Sequence, residues 1–321
     1  MKTILLLTLS LFLFFTNTYA KTWVINNMDA NADFNEIVDA HNSSQVLDGD
    51  ILYVEGSTER YTSFDCTKQL TIIGAGYYLA ENRKTANMLS SMIVEIDFRA
   101  GSEGSTVIGM TFNGSSSAAP NFYANNITVK RCYTQGPIVI GNVNGARILS
   151  SDIYKISKGG TSVFFNEVVV CNNIIRSNLD ISTCEFQKIE NNILLGSDFS
   201  LNVAYFRNNI VLDGSAAISI NSNYITHNIA SNQLFDSNNY NVSDLNALFV
   251  NGDSPDMKYV LSESSFAKGK GHDGSDCGIF GGSTPYVVSG LPTIPVITEL
   301  ETDQAGNLNS GLSIRVKVST Y

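Results

Sequence analysis

Val170-Cys-Asn-Asn-Ile174 decides the fold, because its pattern recurs along the chain: an apolar residue, two variable residues, a small polar residue and an apolar or aromatic residue. The other clear copies are Ile108-Gly-Met-Thr-Phe112, Val129-Lys-Arg-Cys-Tyr133, Leu149-Ser-Ser-Asp-Ile153, Ile189-Glu-Asn-Asn-Ile193, Phe206-Arg-Asn-Asn-Ile210 and Ile225-Thr-His-Asn-Ile229. Their closing residues lie 17 to 21 positions apart. Short β-rich runs between polar breaks, without a leucine consensus, predict a parallel β-helix with three strands per coil.

The asparagines of this pattern are explained by the turn between the second and third strands. Asparagine tolerates the left-handed backbone conformation that such a sharp turn needs. Stacked coils would place the second asparagines above one another, where their side-chain amides can form a ladder. The predicted column contains Asn173, Asn192, Asn209 and Asn228, and continues less regularly through Asp152, Cys132 and Thr111.

Both ends of the repeat carry sequences that predict caps. Residues 32–41 have apolar residues at helical spacing, which predicts an N-terminal cap helix. Residues 273–282 are glycine-rich and predict the closure of the β-helix domain, which therefore spans 21–282. Residues 283–321 form a proline-containing linker and a C-terminal strand extension, in which Leu312–Val318 is expected to pair with Val296–Leu300.

The first twenty residues have the pattern of a cleaved signal peptide. Lys2 supplies a positive charge, an apolar run follows, and Thr18-Tyr-Ala20 offers small residues for cleavage before Lys21. The apolar run is too short to span a bilayer, and no later segment predicts a transmembrane helix. We therefore expect a protein that is secreted, exposed at the cell surface or periplasmic.

Charge and cysteine content limit the partners. A net charge of −10 without basic runs argues against nucleic acid. It also disfavours strongly anionic polysaccharides, unless a local basic patch or a bound cation intervenes. The five cysteines cannot all pair within one molecule, and without a CxxC motif they are best interpreted as small apolar core residues.

Several segments beyond the asparagine turns resemble the pectate-lyase-like superfamily of right-handed parallel β-helices. They are Phe34-Asn-Glu-Ile37, Asp48-Gly-Asp-Ile-Leu-Tyr-Val54, Leu70-Thr-Ile-Ile-Gly-Ala-Gly76 and Gly101-Ser-Glu-Gly-Ser-Thr-Val-Ile-Gly109. The segment from Gly271 to Gly282 resembles the end of many bacterial exported β-helix proteins. Over residues 22–282 the resemblance implies the fold strongly and the function weakly, because lyases, hydrolases, epimerases, adhesins and inert stalks share it.

Enzymes of that superfamily carry their acids, bases and calcium ligands on the outward face of the first strand and in the flanking loops. The outward column predicted here has one carboxylate, and comprises Val139, Phe164, Asp180, Ser200 and Ser219. A glycosidase needs two carboxylates, and a lyase needs a poised base. Asp180 with Arg176 and Asp198 is the catalytic candidate, with solvated turn charges as the alternative interpretation.

Exposed aromatic residues favour sugar contact instead. Tyr205 and Tyr224 are expected to face outward on adjacent coils, and Phe122 with Tyr123 could form a second patch. Cross-strand aromatic packing is the alternative. No metal or other cofactor is assigned: calcium could bind at the turn acids Asp48/Asp50 or Asp273/Asp276, but such acids are common without metal.

Two functions remain open after these observations. The first is a secreted, non-catalytic module that binds extracellular glycans or cell-surface components, or serves as a structural or adhesive module. The alternative is a polysaccharide lyase or glycoside hydrolase with an unrecognised site.

Overall fold

The structure is a computed structural model that describes residues 20–213, 217–231, 236–303, 306 and 311–321. The predicted signal peptide lies outside the described residues, apart from Ala20. The chain forms a right-handed parallel β-helix, as the repeat predicts, and successive strands within each of its three main sheets come from successive coils.

The three parallel sheets are named A, B and C. Sheet A contains Thr22–Ile25, Ile51–Val54, Thr71–Ile73, Thr106–Ile108, Thr128–Lys130, Arg147–Leu149, Val168–Cys171, Leu179–Glu190, Asp198–Arg207, Ala217–Asn221 and Tyr224–Thr226. Sheet B contains Met92–Ile93, Thr111–Phe112, Tyr133–Thr134, Asp152–Ile153, Ile174–Ile175, Ile193–Leu194, Ile210–Val211, Ile229–Ala230 and Tyr240–Asn241. Sheet C contains Phe64–Cys66, Glu95–Phe98, Ala119–Phe122, Ile138–Ile140 and Ile156–Lys158.

The apolar residues of the repeat form stacked columns in the interior. In sheet A one such column is in direct register from coil to coil, and none of its side chains is exposed: Val107, Val129, Ile148, Val170, Ile189 and Phe206. Burial of each such side chain contributes roughly 1.5–3 kcal/mol. A shift of one residue between coils would expose these side chains, so their burial fixes the register of each strand against the next.

The second asparagine of each turn forms the predicted ladder. Asn192 Nδ2 donates to Asn209 Oδ1 (3.0 Å), and Asn209 Nδ2 donates in turn to Asn228 Oδ1 (3.0 Å). The ladder continues to Asn239, which the repeat pattern did not include. Towards the N-terminus the next member is Ser151, whose amide donates to Asn173 Oδ1.

Two residues predicted for this column lie elsewhere. Asp152 and Thr111 are strand residues of sheet B, one position after the turn. Cys132 is in the column, and its amide donates to Ser151 Oγ (3.0 Å). Ser151 and Cys132 are both fully buried at this position. The hydroxyl of Ser151 accepts the coil-to-coil hydrogen bond that an asparagine oxygen accepts in later coils.

The left-handed conformation belongs to the first asparagine of each pair. Asn172, Asn191 and Asn208 have φ of 60°, 56° and 59°, and His227 takes the same position with φ of 58°. The two asparagines therefore have separate roles, one in backbone geometry and one in the ladder.

The N-terminal cap helix is shorter than predicted and spans Ile37–Asn42. Its N-cap residue, Glu36, makes no side-chain capping bond. His41 is buried, and its Nε2 accepts a hydrogen bond from Thr67 N (3.0 Å). The other helical segments are Leu79–Asn82 and the 3-10 turns Asn246–Leu248, Met257–Tyr259 and Val288–Gly290. Within the described ranges, no helix is long and apolar enough to cross a membrane.

The glycine-rich segment predicted to close the C-terminal end runs instead back along the β-helix. Residues 272–297, here called the strap, contact progressively earlier coils. Asn208 Oδ1 accepts from His272 N (2.9 Å), Asn191 Nδ2 donates to Asp276 O (3.0 Å), and Asn172 Nδ2 donates to Ile279 O (2.9 Å). The first asparagines of the turns thus bind the strap.

The two C-terminal strands pair as predicted, and the pairing of Val296–Thr302 with Ile314–Ser319 is antiparallel. Ala86 N donates to Ile297 O (2.8 Å), which holds the pair against an early coil. Arg315 and Lys317 make ion pairs across the pair with Glu301 and Glu299.

Candidate functional site

The three outer faces of the β-helix differ in what covers them. The outer face of sheet B is buried, because its isoleucine column packs under the strap and the segment before it. Members of this second core include Ile174, Ile193, Ile210, Ile229, Cys277, Ile279 and Tyr286. Sheet C carries partly exposed polar residues, and sheet A borders a groove.

The groove lies between the outer face of sheet A and the strap, and its volume is about 450 Å³. Leu149, Val169 and Cys171 give it an apolar floor. The strap contributes one wall through His272, Asp273 and residues 282–284. We call this feature the strap groove.

Three cationic side chains converge on the strap groove, although the whole chain is negative. Arg147 and Lys188 occupy the same column of sheet A, two coils apart, and Arg207 occupies the adjacent column. Glu190 contacts the guanidinium of Arg207 and lies 3.8 Å from Lys188 Nζ. Among the described residues, none forms an ion pair with Arg147, which is exposed.

The strap wall adds a neutral imidazole and a carboxylate. Burial and the nearby charge of Arg207 lower the pKa of His272. Hydrogen bonds from Ser275 lower the pKa of Asp273, which keeps this carboxyl ionised. Three cations against two carboxylates leave the groove positive at neutral pH, so it is the local basic patch that an anionic ligand requires.

Tyr205 and Tyr224 extend this surface towards the C-terminal coils. They face outward in register with Lys188, as predicted, and their rings stack on one another with centroids 5.0 Å apart and an interplanar angle of 23°. The Arg207 guanidinium carbon lies 4.9 Å from the Tyr205 ring centroid. One face of Tyr205 is therefore covered by Tyr224, which is 54% exposed and is the ring more accessible to a sugar.

The second predicted aromatic patch is reduced to one residue. Phe122 is completely buried and packs against Phe98 inside the coil, so it cannot contact a ligand. Tyr123 faces outward, and the guanidinium carbon of Arg99 lies 4.2 Å from its ring centroid. Because side chains alternate along a strand, only one of two adjacent aromatics can face solvent.

The predicted catalytic cluster does not assemble. Arg176 turns towards sheet B, where its Nε lies 2.8 Å from Asp152 Oδ1. The N–H does not point at this oxygen, so the contact is an ionic one. Arg176 also donates to Tyr133 Oη (3.3 Å) and to the carbonyl of Thr134. Arg176 therefore neutralises a buried carboxylate.

The other two members of that cluster remain solvated. Asp180 is exposed and pairs in register with Ser200. Asp198 is exposed and accepts a hydrogen bond from Asn178 Nδ2 (3.1 Å). On the following coil Asp180 lies opposite Ser200 and Asp198 lies opposite Ala217, so neither carboxylate is in register with a second acid or a base there.

The outward column of sheet C differs from the predicted one. Val139 is in register with Asn121 on one side and Ser157 on the other, whereas Phe164 lies between strands. Continuing the column towards the N-terminus reaches Asp97 and Asp65, which the prediction missed because it began at Val139. The alternation in Glu95-Ile-Asp-Phe98 is the signal that could have found them.

These missed residues form a small polar cluster on the outward face of sheet C. Asn121 Nδ2 donates to Asp97 Oδ1 (2.9 Å) and also to Glu95. Arg99 pairs with Asp97 and lies 3.5 Å from Asp65. Burial, followed by the charge of Asp97, raises the pKa of Glu95. One carboxyl thus has a raised pKa and lies beside a second that is paired with a cation.

The turn acids considered for calcium have other partners. Asp48 accepts the amide of Gln69 (2.9 Å), Asp273 accepts from Ser275, and Asp276 accepts the amide of Gly269 (2.9 Å). Asp50 accepts three N–H groups. Within the described part of the chain, no cluster of three or more His, Cys, Asp or Glu is arranged to hold a metal ion.

All five cysteines lie within the described residues and are unpaired. Four are buried, and burial raises the pKa of Cys132 to about 12. Cys171 is partly exposed in the floor of the strap groove, and burial raises its pKa to about 12 as well. The thiols of Cys132 and Cys171 therefore remain protonated, which makes them poor nucleophiles.

Comparison with known proteins gives no match: no protein-family model, curated protein or solved structure is significantly similar to this chain.

Proposed function

We propose that the protein is a secreted, non-catalytic β-helix module that binds extracellular glycans in the strap groove. The ligand class is a glycan that carries carboxylate or sulfate groups. The groove binds the anionic group, and the exposed ring of Tyr224 contacts an adjoining sugar.

The convergence of Arg147, Lys188 and Arg207 in a groove of about 450 Å³ carries this proposal. Glu190 forms ion pairs with Lys188 and Arg207 and so balances part of their positive charge. Arg147 is the cation left for a ligand, because no described carboxylate pairs with it. An arginine can bind a carboxylate or a sulfate through two parallel N–H groups, which gives orientation as well as affinity.

The proposal is tested by calorimetry with sulfated, uronate-containing and neutral oligosaccharides. We expect the acidic oligosaccharides to bind and the neutral ones to bind more weakly. Arg147→Gln should weaken binding roughly 10- to 100-fold, the equivalent of one lost charge-assisted hydrogen bond. Binding should also weaken as salt is raised.

Lys130→Gln is the matched control for Arg147→Gln. Both changes remove one positive charge from the outer face of sheet A on neighbouring coils, but Lys130 does not line the groove. Equal effects of the two changes would show that binding depends on the net charge of the protein and not on the position of Arg147 in the groove. If no acidic glycan binds, the glycan-binding proposal fails, and a structural or adhesive role becomes the better hypothesis.

A glycoside hydrolase is the second candidate, because Glu95 and Asp97 form a pair of carboxyls in different environments. The raised pKa of Glu95 suits a general acid, and Asp97, paired with Arg99, suits the ionised partner. Asn121 Nδ2 donates to both carboxyls and so lies between them, where a glycosidase leaves room for the scissile bond or a water molecule. This geometry ranks the hydrolase below the binding module.

A polysaccharide panel separates these two functions. If the hydrolase hypothesis holds, purified protein releases oligosaccharides and Glu95→Gln abolishes release, whereas Asp180→Ala retains it. Absence of release with every polysaccharide, together with binding that depends on Arg147, would support the non-catalytic module.

A further inference from the structure

Asp50 is a buried carboxylate at the turn before the second strand of sheet A, and its side chain is enclosed by donors. It is 4% exposed. Oδ1 accepts a hydrogen bond from Lys21 N (2.8 Å), and Oδ2 accepts from Trp23 Nε1 (2.8 Å) and Leu47 N (3.0 Å). All three donors are neutral, and no described Lys, Arg or His forms an ion pair with Asp50.

These hydrogen bonds keep Asp50 ionised. Burial alone would raise its pKa, but the bonds from Leu47, Trp23 and Lys21, together with the nearby charge of Lys21, outweigh burial and lower it. The carboxylate is therefore a buried negative charge without a described cation at ion-pair distance. Such a charge is costly unless it is paired as well as hydrogen-bonded.

Lys21 is fixed at both of its backbone groups. Its carbonyl accepts the amide of Ile51 (2.8 Å), and its nitrogen donates to Asp50. The side-chain ammonium does not reach the carboxylate, because Lys21 Nζ lies over the Trp23 ring, 3.2 Å from the centroid. The position of the backbone nitrogen relative to Asp50 is thus set by the parallel pairing of the first two strands.

We infer that Asp50 is the binding site for the α-ammonium group that Lys21 acquires when the predicted signal peptide is removed. The inference rests on the secretion that forms part of the proposed function, but it does not depend on glycan binding. Hydrolysis of the Ala20–Lys21 peptide bond by a signal peptidase consumes one water molecule. Ala20 leaves with a carboxylate, and the nitrogen of Lys21 takes up protons to become an ammonium group.

Processing therefore changes the chemistry of a contact that already exists. The nitrogen that lies 2.8 Å from Asp50 Oδ1 changes from a neutral amide to a cation, and a neutral donor becomes a charge-assisted one. The ion pair holds the first strand, Thr22–Ile25, on the edge of sheet A. The mature chain gains this stabilisation, and the precursor lacks it.

Two forms of the protein test the inference. One begins at Lys21 with a free amine, and the other begins at Ala20, which keeps an amide at Lys21 and moves the charge one residue away. We expect the Lys21 form to melt roughly 2–4 °C higher. In Asp50→Asn this difference should fall to less than half, because the amide side chain carries no charge.

Asp33→Asn is the matched control, because Asp33 accepts the amide of Val24 in the same strand (2.8 Å) but never meets the terminus. The difference between the two forms should persist in this variant. Equal melting of the two forms, or a difference that survives Asp50→Asn, would overturn the inference.

A second measurement covers the case in which Asp50→Asn does not fold. In the native Lys21 form, the terminal amine should react with an acylating reagent near neutral pH at least about tenfold more slowly than in the Ala20 form. Pairing with Asp50 favours the ammonium form, which does not react. Equal rates would contradict the inference. N-terminal sequencing of exported protein tests the processing step separately, and a terminus far from Lys21 would also overturn it.

Discussion

Asn191 and Asn192 are neighbours in the chain, but their side chains bind on opposite sides of the same turn. Asn191 Nδ2 points outward and donates to Asp276 O of the strap (3.0 Å), whereas Asn192 Nδ2 points inward and donates to Asn209 Oδ1 of the ladder (3.0 Å). Asn191 also has the left-handed backbone. One dipeptide therefore both stacks the coils and attaches the C-terminal segment to them.

This relationship predicts different effects for the two asparagines. Asn192→Ala should lower the free energy of unfolding by about 2 kcal/mol, since the buried amide of Asn173 loses its acceptor. Asn191→Gly retains the left-handed conformation and removes the strap bonds together with one long bond from Asn208 Nδ2 (3.3 Å), so it should cost less but make the strap more sensitive to proteolysis. Denaturation midpoints and proteolysis of both variants provide the test; similar cleavage in both would contradict the separation of roles.

Removing the strap should be far more damaging than removing the C-terminal strand pair. A chain that ends at Pro295 keeps most of the strap and should melt within a few degrees of the full protein. A chain that ends at Lys270 exposes Ile174, Ile193 and Ile210, each worth roughly 1.5–3 kcal/mol of burial. We expect it to aggregate or to lose cooperative unfolding, as measured by calorimetry. Equal melting of the two truncated chains would show that the strap is only a passive covering.

Asp152 predicts a specific dependence of stability on pH. Burial raises its pKa from 3.8 to about 6, although Arg176 opposes the shift. The folded chain therefore binds this proton more tightly than the unfolded chain. The Asp152 contribution to stability is complete below about pH 4 and is lost as pH rises through about 6.

The corresponding measurement compares the wild type with Asp152→Asn from pH 4 to pH 7. The free energy of unfolding of the wild type should fall by about 2 kcal/mol relative to the variant over this range. Tyr78 donates to Asp152 Oδ2 (2.9 Å) and can still donate to an asparagine oxygen, which limits other effects of the change. A constant difference across the range would contradict the raised pKa.

Tyr224→Ala should weaken glycan binding, whereas Tyr154→Ala should leave it unchanged. Both rings are exposed, at 54% and 38%, but Tyr224 extends the surface of the strap groove. Loss of one sugar-stacking ring should weaken binding roughly 3- to 10-fold by calorimetry. If the two changes have the same effect, the tyrosine stack is cross-strand packing alone.

Asp180→Ala should leave stability within about 0.5 kcal/mol of the wild type and leave any binding or activity intact. Its carboxylate is exposed and lacks the second acid that glycosidic cleavage requires. A chemical denaturation curve and the polysaccharide panel are sufficient tests. Loss of activity in this variant would contradict the prediction and would support a catalytic role for Asp180.

The periodic features were predictable because they repeat. Apolar residues spaced about one coil apart, with asparagines between them, specify the β-helix, its inward columns and the ladder at Asn173, Asn192 and Asn209. The C-terminal strand pair followed from simple alternation. The cap helix was correctly located but too long in the prediction, because helix ends depend on capping and packing.

The site residues were less predictable. Alternation indicates which side chains of a strand face outward, but it does not indicate which residues of other coils they contact. Phe122 turned inward, Arg176 turned towards Asp152, and the column of sheet C began earlier than Val139. The last two of these outcomes depend on register between coils whose connecting segments differ in length.

The sequence by itself determined the coil, because local strand alternation and turn conformations repeat every 17 to 21 residues. Only the tertiary structure decided that residues 272–297 run back along the coils, which buries the outer face of sheet B and forms one wall of the groove beside sheet A. Its contacts join residues far apart in the chain, such as Asn172 and Ile279. Such pairings have no periodic signal in the sequence. They form because the apolar column on the outer face of sheet B is still exposed to water once the coils have stacked.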